Sequence, residues 1–168
     1  SRNMSHLLHC RFPWFLALIA LGALAGGEAR AADSTWTGTT DSFLTPGNWT
    51  GVNTPPISGD SLIFGTAGAG GLLLNNNLTS GAFDLADISF NSGADAFVIG
   101  DGTTSANAGN AFALTGNITN NSTSLQTINT PFTMTAERTF TTTSGGGDLT
   151  LGGNLSGTGG GITKLGDG

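Results

Sequence analysis

Beyond residue 31, apolar side chains recur at a spacing of two, as in Ile88-x-Phe90, Phe112-x-Leu114, Phe132-x-Met134 and Leu149-x-Leu151. Successive side chains on a strand point to opposite faces, so this spacing predicts short strands with one buried face. No stretch past the N-terminal segment places apolar residues at i, i+3, i+4 and i+7, and no helix is predicted there. The alternating runs are rich in Thr or Phe and stop at turn formers such as Gly93, Gly100-Asp101-Gly102 and Gly145-Gly146-Gly147.

The chain also resembles itself. The run from Phe112, FALTGNITNNSTSLQTIN, aligns without a gap on LTLGGNLSGTGGGITKLG from Leu149, an offset of 37 residues. Phe112 falls on Leu149, Leu114 on Leu151, Ile118 on Leu155, Leu125 on Ile162 and Ile128 on Leu165, and Gly116-Asn117 reappears as Gly153-Asn154. With Phe132 between the copies, corresponding strands are expected 20 and then 17 residues apart. A chain that returns to one face about every twenty residues, with brief Gly/Asn corners and no helix for a crossover, suggests a solenoid of stacked β-coils. The competing fold is an antiparallel β-sandwich or jelly roll, also built of short strands. It is disfavoured by the internal repeat and by the scarcity of two-residue Asn-Gly or Asp-Gly hairpin loops, of which Gly100-Asp101-Gly102 is the best example.

Residues 1–31 break this pattern. Arg2 and Arg11 precede an apolar stretch from Pro13 to Ala25, and Ala29-Arg30-Ala31 fits a small-x-small cleavage site. This is the layout of a secretory signal helix, and the stretch falls short of the ~20 residues a spanning helix needs. The organisation expected is a signal peptide over 1–31, a β cap segment over 32–71 and β-helix coils over 72–168. The chain starts at Ser1 with its first methionine at Met4, and stops on Gly166-Asp167-Gly168, turn residues that ordinarily lead into another strand. It is therefore expected to break off inside a repeat.

Composition then narrows the function. Cys10, His6 and His9 all lie in the signal, and the chain has no Tyr, so residues 32–168 contain no Cys and no His. Cysteine nucleophiles, histidine bases, disulfides and His/Cys zinc sites need residue types missing from this part. Of the chain's basic residues only Arg138 and Lys164 remain after cleavage, against ten acids, a net charge of −8. Two separated cations cannot form the basic surface that a phosphate backbone requires, so nucleic acid is excluded as a partner. Charged residues make up 10% of the chain, well under the ~25% usual for globular proteins, so exposed faces are built from Gly, Asn, Ser and Thr.

The stretch Gly147-Asp148-Leu149-Thr150-Leu151-Gly152-Gly153-Asn154-Leu155-Ser156-Gly157, followed by Gly161-Ile162-Thr163-Lys164-Leu165-Gly166-Asp167-Gly168, resembles the autotransporter-associated β-strand repeat. The opening Thr35-Trp36-Thr37-Gly38, with Asn48-Trp49, Pro55-Pro56 and Asp60-Ser61-Leu62-Ile63-Phe64, is similar to the first mature segment of many such proteins. The resemblance covers about the last third of the chain closely and the start more loosely. It implies a right-handed parallel β-helix, part of a passenger exposed on or released from a bacterial surface. The outer-membrane barrel or sorting anchor that ends such proteins is not among these 168 residues, so self-transport through an outer membrane is only what the resemblance implies.

Several residues invite a chemical reading. Trp36 and Trp49 offer flat apolar faces for stacking on sugar rings, yet with Phe43 and Phe64 they equally supply the area needed to cap the first coil, and capping is preferred. Asp84, Asp87, Asp95 and Asp101 carry the oxygens that Ca²⁺ takes, but the G-G-x-G-x-D nonapeptide of calcium-binding β-rolls is missing. Turn roles are assigned to them. No carboxylate pair stands out for glycoside cleavage; Arg138 beside Glu137 reads as a local ion pair, and Ser156 with Lys164 is a weak candidate for a nucleophile and base. Sequons at Asn48, Asn77, Asn117, Asn120, Asn121 and Asn154 follow from a composition rich in Asn, Ser and Thr. No catalytic residue, metal or cofactor is assigned.

The function expected is that of a non-enzymatic, exported surface protein. It is a β-helical stalk with an adhesive or display role, secreted or held at the cell surface, that reaches the export machinery through its signal and meets glycans or cell surfaces. The alternative is a carbohydrate-binding or carbohydrate-cleaving exoprotein whose catalytic region lies outside this sequence. No membrane span is expected in the mature part.

Overall fold

A computed structural model describes residues 31–78, 83–100, 110–143 and 145–168. The predicted signal therefore lies outside the described residues except for Ala31, as do Asp101 and Gly102 of the predicted turn.

Among the described residues fifteen strands follow one another: β1 (Asp33–Trp36), β2 (Trp49–Gly51), β3 (Ser61–Phe64), β4 (Leu73–Leu74), β5 (Phe83–Leu85), β6 (Ile88–Phe90), β7 (Val98–Ile99), β8 (Phe112–Leu114), β9 (Ile118–Asn120), β10 (Gln126–Ile128), β11 (Phe132–Thr133), β12 (Glu137–Thr142), β13 (Leu149–Leu151), β14 (Leu155–Ser156) and β15 (Gly161–Leu165). They form three sheets. A long face has the order β15-β12-β9-β6-β3-β1-β2, a second face β13-β10-β7-β4 and a third face β14-β11-β8-β5. From β3 onward the chain visits long, second and third faces in strict rotation, so each turn of the coil contributes one strand to each sheet.

Every described strand pair is parallel except β1 with β2. The chain is a parallel β-helix, and the antiparallel sandwich is excluded. Rotation starts at β3, inside the segment 32–71 that the sequence assigned to the cap. The structural cap is narrower: the β1–β2 ribbon and the loops that flank it.

Residues in register stack into inward columns. On the long face Leu62, Ile88, Ile118, Phe140 and Lys164 form one column. On the third face Phe83, Phe112 and Phe132 stack with ring centroids 6.3 and 5.8 Å apart. On the second face Leu74, Ile99, Ile128 and Leu151 align. Apart from Lys164 and the half-buried Leu151, these residues are buried, and together they form one continuous hydrophobic core.

The register corrects the internal repeat. Phe112 lies on the third face between Phe83 and Phe132, whereas Leu149 lies on the second face beside Gln126. The 37-residue offset is therefore not a whole number of turns: it links Phe112 and Leu114 on the third face to Leu149 and Leu151 on the second. True neighbours on the long face are separated by 26, 30, 22 and 24 residues, from Leu62 to Lys164. Phe132 pairs with Leu155, 23 residues on, and not with Leu149.

The repeated Gly-Asn step shows why the copies align nonetheless. A Cβ on Gly116, between the third and long faces, would come within 1.9 Å of the Ala86 carbonyl oxygen. One on Gly153, between the second and third faces, would come within 2.3 Å of the Thr130 carbonyl oxygen. Two different corners thus impose the same demand, a glycine fitted under the backbone of the preceding turn.

Candidate functional site

The cap is where sequence placed its one candidate binding site, and its geometry is explicit. Trp36 and Trp49 face each other across the antiparallel β1–β2 pair with centroids 5.0 Å apart. Phe43 lies 5.5 and 5.2 Å from these two rings, and Phe64 lies 6.2 and 6.0 Å from them. The indole Nε1 of Trp36 donates to the Ala67 carbonyl at 3.2 Å, and that of Trp49 to the Phe43 carbonyl at 2.8 Å. Both tryptophans are only 3% exposed, so neither offers a face on which a sugar could stack. Of the two readings offered for Trp36 and Trp49, this burial rules out sugar stacking and fits the preferred capping role: their rings belong to the core.

Asn48 holds the cap loop together and carries no sequence signal of its importance beyond its place before Trp49. Its fully buried amide accepts from the Thr39 and Thr40 backbone N–H groups at 2.7 and 2.8 Å, and donates to the Ser42 carbonyl at 2.6 Å. The sequon at Asn48 is closed to modification by this burial, and so is the one at Asn120.

Of the four acids considered for calcium, Asp101 lies outside the described residues, and the other three bind backbone and hydroxyl groups on neighbouring turns. Asp95 accepts from the Ala67 N–H at 2.7 Å, Asp87 from the Asn117 N–H at 2.6 Å, and Asp84 from the Ser58 hydroxyl at 3.2 Å. Among the described residues no three acids gather at one point. Buried Asp60 organises residues 53–60 by accepting from the Asn53 amide at 3.0 Å and the Ile57 N–H at 2.9 Å.

The remaining pairs do not assemble. Ser156 lies on the third face and donates to the Phe132 carbonyl at 3.3 Å, while Lys164 lies on the long face and donates to the Gly166 carbonyl at 2.7 Å. The expected Glu137–Arg138 ion pair does not form either: Arg138 donates through Nε to the Leu114 carbonyl at 3.1 Å, and Glu137 accepts from the Thr163 hydroxyl. Neighbours on a strand point to opposite sides, which separates the two charged groups.

Two features escaped the sequence reading. The first is a polar knot inside the third turn. Asn120, Ser122 and Gln126 are buried, with the Gln126 amide accepting from the Phe97 N–H at 3.1 Å and donating to the Ser122 hydroxyl at 3.0 Å. The second is on the outer wall of the long face. There Thr35, Ile63, Ser89, Thr119, Thr141 and Leu165 form one column, row upon row. Strands lie ~4.8 Å apart, so the hydroxyls of Ser89, Thr119 and Thr141 recur at that interval, while Ile63 separates them from Thr35. The flanking Asn117 and Thr143 side chains, by contrast, are engaged with the Thr139 N–H and the Asn120 carbonyl. The outer wall of the third face, Asp84, Ala113, Thr133 and Ser156, is shorter, and that of the second face runs Leu73, Val98, Thr127 and Thr150.

Hollows occur at the end formed by the last strands. One of about 190 Å³ is lined by Phe140, Thr142, Leu149, Leu151, Ile162, Lys164 and Gly168. It is the interior of the coil seen end-on, with Lys164 standing in the apolar column above Phe140. No described helix is long and apolar enough to cross a membrane. In comparisons with known proteins, no family model, no curated protein and no solved structure gives a significant match to this chain.

Proposed function

We propose that the chain is a non-enzymatic structural element, an exported β-helical stalk of the kind found in autotransporter passengers, which displays a long polar wall to glycans or cell surfaces. The observation that supports this reading most directly is the long face itself, a seven-stranded sheet whose outer column is dominated by hydroxyl side chains and carries no charge. Stacked coils gain stiffness by burying a column of side chains between parallel sheets, so a wall of this kind keeps its shape over many turns. A column of hydroxyls without charge, with Asp33 and Glu137 as the acids beside it on this wall, suits neutral, polyhydroxylated ligands, which pay little to exchange hydrogen bonds with water for hydrogen bonds with the wall.

Binding of residues 32–168 to an array of neutral and acidic glycans and to intact cells tests the reading. Saturable binding to neutral glycans or cells, weakened by Thr119→Lys and Thr141→Lys on the outer wall and indifferent to Thr133→Lys on the third face, is the expected result. Release of reducing ends from any polysaccharide by the purified chain would refute the non-enzymatic assignment, and absence of binding to every surface would refute the display role. Export is tested separately, by expressing the whole chain in a bacterial host and sequencing the N-terminus of the processed product, which is expected to start at Ala32.

A further inference from the structure

The two ends of the coil are built differently, and the difference lies in both hydrogen bonding and core composition. At the N-terminal end all three sheet edges are covered. On the long face β2 pairs with β1 in antiparallel sense. On the second face Ser42 bridges Asn75, the Phe43 N–H donates to the Asn75 carbonyl at 3.1 Å, and the Asn75 N–H donates to the Asp41 carbonyl at 2.8 Å. On the third face the Gly59 N–H donates to the Asp84 carbonyl at 2.8 Å and the Ala86 N–H to the Asp60 carbonyl at 2.9 Å. A parallel edge is a row of unmet donors and acceptors, and here three separate segments meet them.

The core under this cover is aromatic. Trp36, Phe43, Trp49, Phe64, Phe90 and Phe97 are all buried, and Phe64 alone lies within 5.2 to 6.2 Å of the other five rings. Further along, the inward positions turn polar. Asn120 stands in register with Phe90, followed by Thr142, and Gln126 is buried one strand later. These polar groups are satisfied by adjoining turns: Gln126 accepts from Phe97 N–H at 3.1 Å and donates to the Asp95 carbonyl at 2.9 Å, while Asn120 donates to the Gly147 and Asp148 carbonyls at 2.9 and 3.1 Å. The third turn therefore cannot close its hydrogen bonds alone: Gln126 needs the second turn and Asn120 the fourth.

In a stack where each repeat touches only its neighbours, folding starts where one repeat and its interfaces are most favourable and then spreads. We infer that the N-terminal cap is the folding template of this coil: the aromatic unit of β1–β3 with its covering loops closes first, and the turns add to it in order from residue 61 toward residue 168. The direction is set by the sequence, because the cap joins its aromatic cluster to buried polar groups, Asn48 and Asp60, whose bonds close within residues 32–60, whereas Asn120 and Gln126 take theirs from adjoining turns.

Hydrogen exchange read by mass spectrometry on the whole chain tests this, in two forms. In the unmutated protein, pulse labelling during refolding is expected to show protection in β1–β3 before β10 and β12, and native-state exchange is expected to be about 100-fold slower in the first group. In Phe43→Ala, protection is expected to fall in β10 and β12 as well as in the cap, although Phe43 touches neither. In Phe132→Ala, protection is expected to fall in β8 and β11 and to survive in β1–β3. Protection appearing in β10 and β12 first, or surviving there in Phe43→Ala, would overturn the inference. Since the refolding order is read on the unmutated chain, it decides the matter even if a variant fails to fold.

Discussion

Replacing Asn120 by leucine is the most informative single perturbation, because pattern and structure disagree about its sign. Asn120 follows Phe90 in an inward column, where the pattern calls for an apolar side chain to extend the core. Leucine has nearly the same shape, and its added methyl surface against Phe90 gains up to ~2 kcal/mol. Against this stand five hydrogen bonds. The amide oxygen accepts from the Ser122 N–H and hydroxyl at 3.0 and 2.9 Å, and the amide nitrogen donates to the carbonyls of Ser124, Gly147 and Asp148 at 3.0, 2.9 and 3.1 Å. Two of these carbonyls have other donors, Ser124 from the Ser122 hydroxyl and Asp148 from the Gln126 N–H. The Ser122 N–H and the Gly147 carbonyl would be left without a partner, at ~1–3 kcal/mol each. The balance is a loss of about 2 kcal/mol. Asn120→Asp is expected to be worse, since it directs a carboxylate at three carbonyl oxygens. Urea unfolding followed by far-UV circular dichroism reads the effect, because both described tryptophans lie in the cap and report only on that end. With a slope of ~1–3 kcal/mol/M the midpoint for Asn120→Leu should fall by about 1 M. A midpoint equal to or above that of the unmutated chain, at unchanged slope, would refute the idea that this corner is held by its polar knot.

Other substitutions probe other joints of the coil. Gly116→Ala is expected to cost about 3 kcal/mol in the same urea assay, because its Cβ would lie 1.9 Å from the Ala86 carbonyl oxygen; Gly93→Ala, with nothing within 4 Å, is expected to change stability by less than about 0.5 kcal/mol. Trp49→Leu should lower stability by ~2–4 kcal/mol through lost ring contacts with Trp36, Phe43 and Phe64, and should leave any glycan binding of the folded fraction unchanged in affinity. Deleting residues 118–139 removes one turn and brings Phe140 into register with Ile88, so the shortened chain should fold with a strand-rich circular dichroism spectrum. Deleting residues 112–148, one unit of the apparent repeat, puts a second-face strand where a third-face strand belongs and should leave the later strands unfolded; folding of both deletions would refute the three-face rotation.

The architecture was legible because parallel stacking leaves a strong trace: Ile88-x-Phe90, Phe112-x-Leu114 and Leu149-x-Leu151 all became strands with alternating sides. Strands such as β9 and β10 escaped because their inward residues include Asn120 and Gln126, which break the apolar alternation that marks a strand in sequence. Strands of two residues, such as β4 and β7, are too short to show any period. At the cap, the preference of Trp36 and Trp49 for a covering role could be read from the need to close the first coil, whereas the hydrogen bonds of Asn48 could not, since a buried Asn and a surface Asn look alike in sequence.

The phase of the repeat was misread for a physical reason that also bears on the proposed function. All three walls of the coil solve one problem, an inward apolar residue on either side of an outward one and a small residue at the corner, so Phe112-x-Leu114 and Leu149-x-Leu151 look equivalent although they lie in different sheets. Inward positions therefore carry no information about which wall they belong to. Outward positions do: Ser89, Thr119 and Thr141 follow one another on the long face, while Leu73 and Val98 lead the second. Hydroxyls also face outward on the other walls, Thr127 and Thr150 on the second and Thr133 and Ser156 on the third, but only the long face carries them on three successive turns, which a packing requirement common to every wall does not explain. That asymmetry is what an interaction surface would leave behind, and it is the reason the long face, and not the buried tryptophans, is the place to look for a ligand.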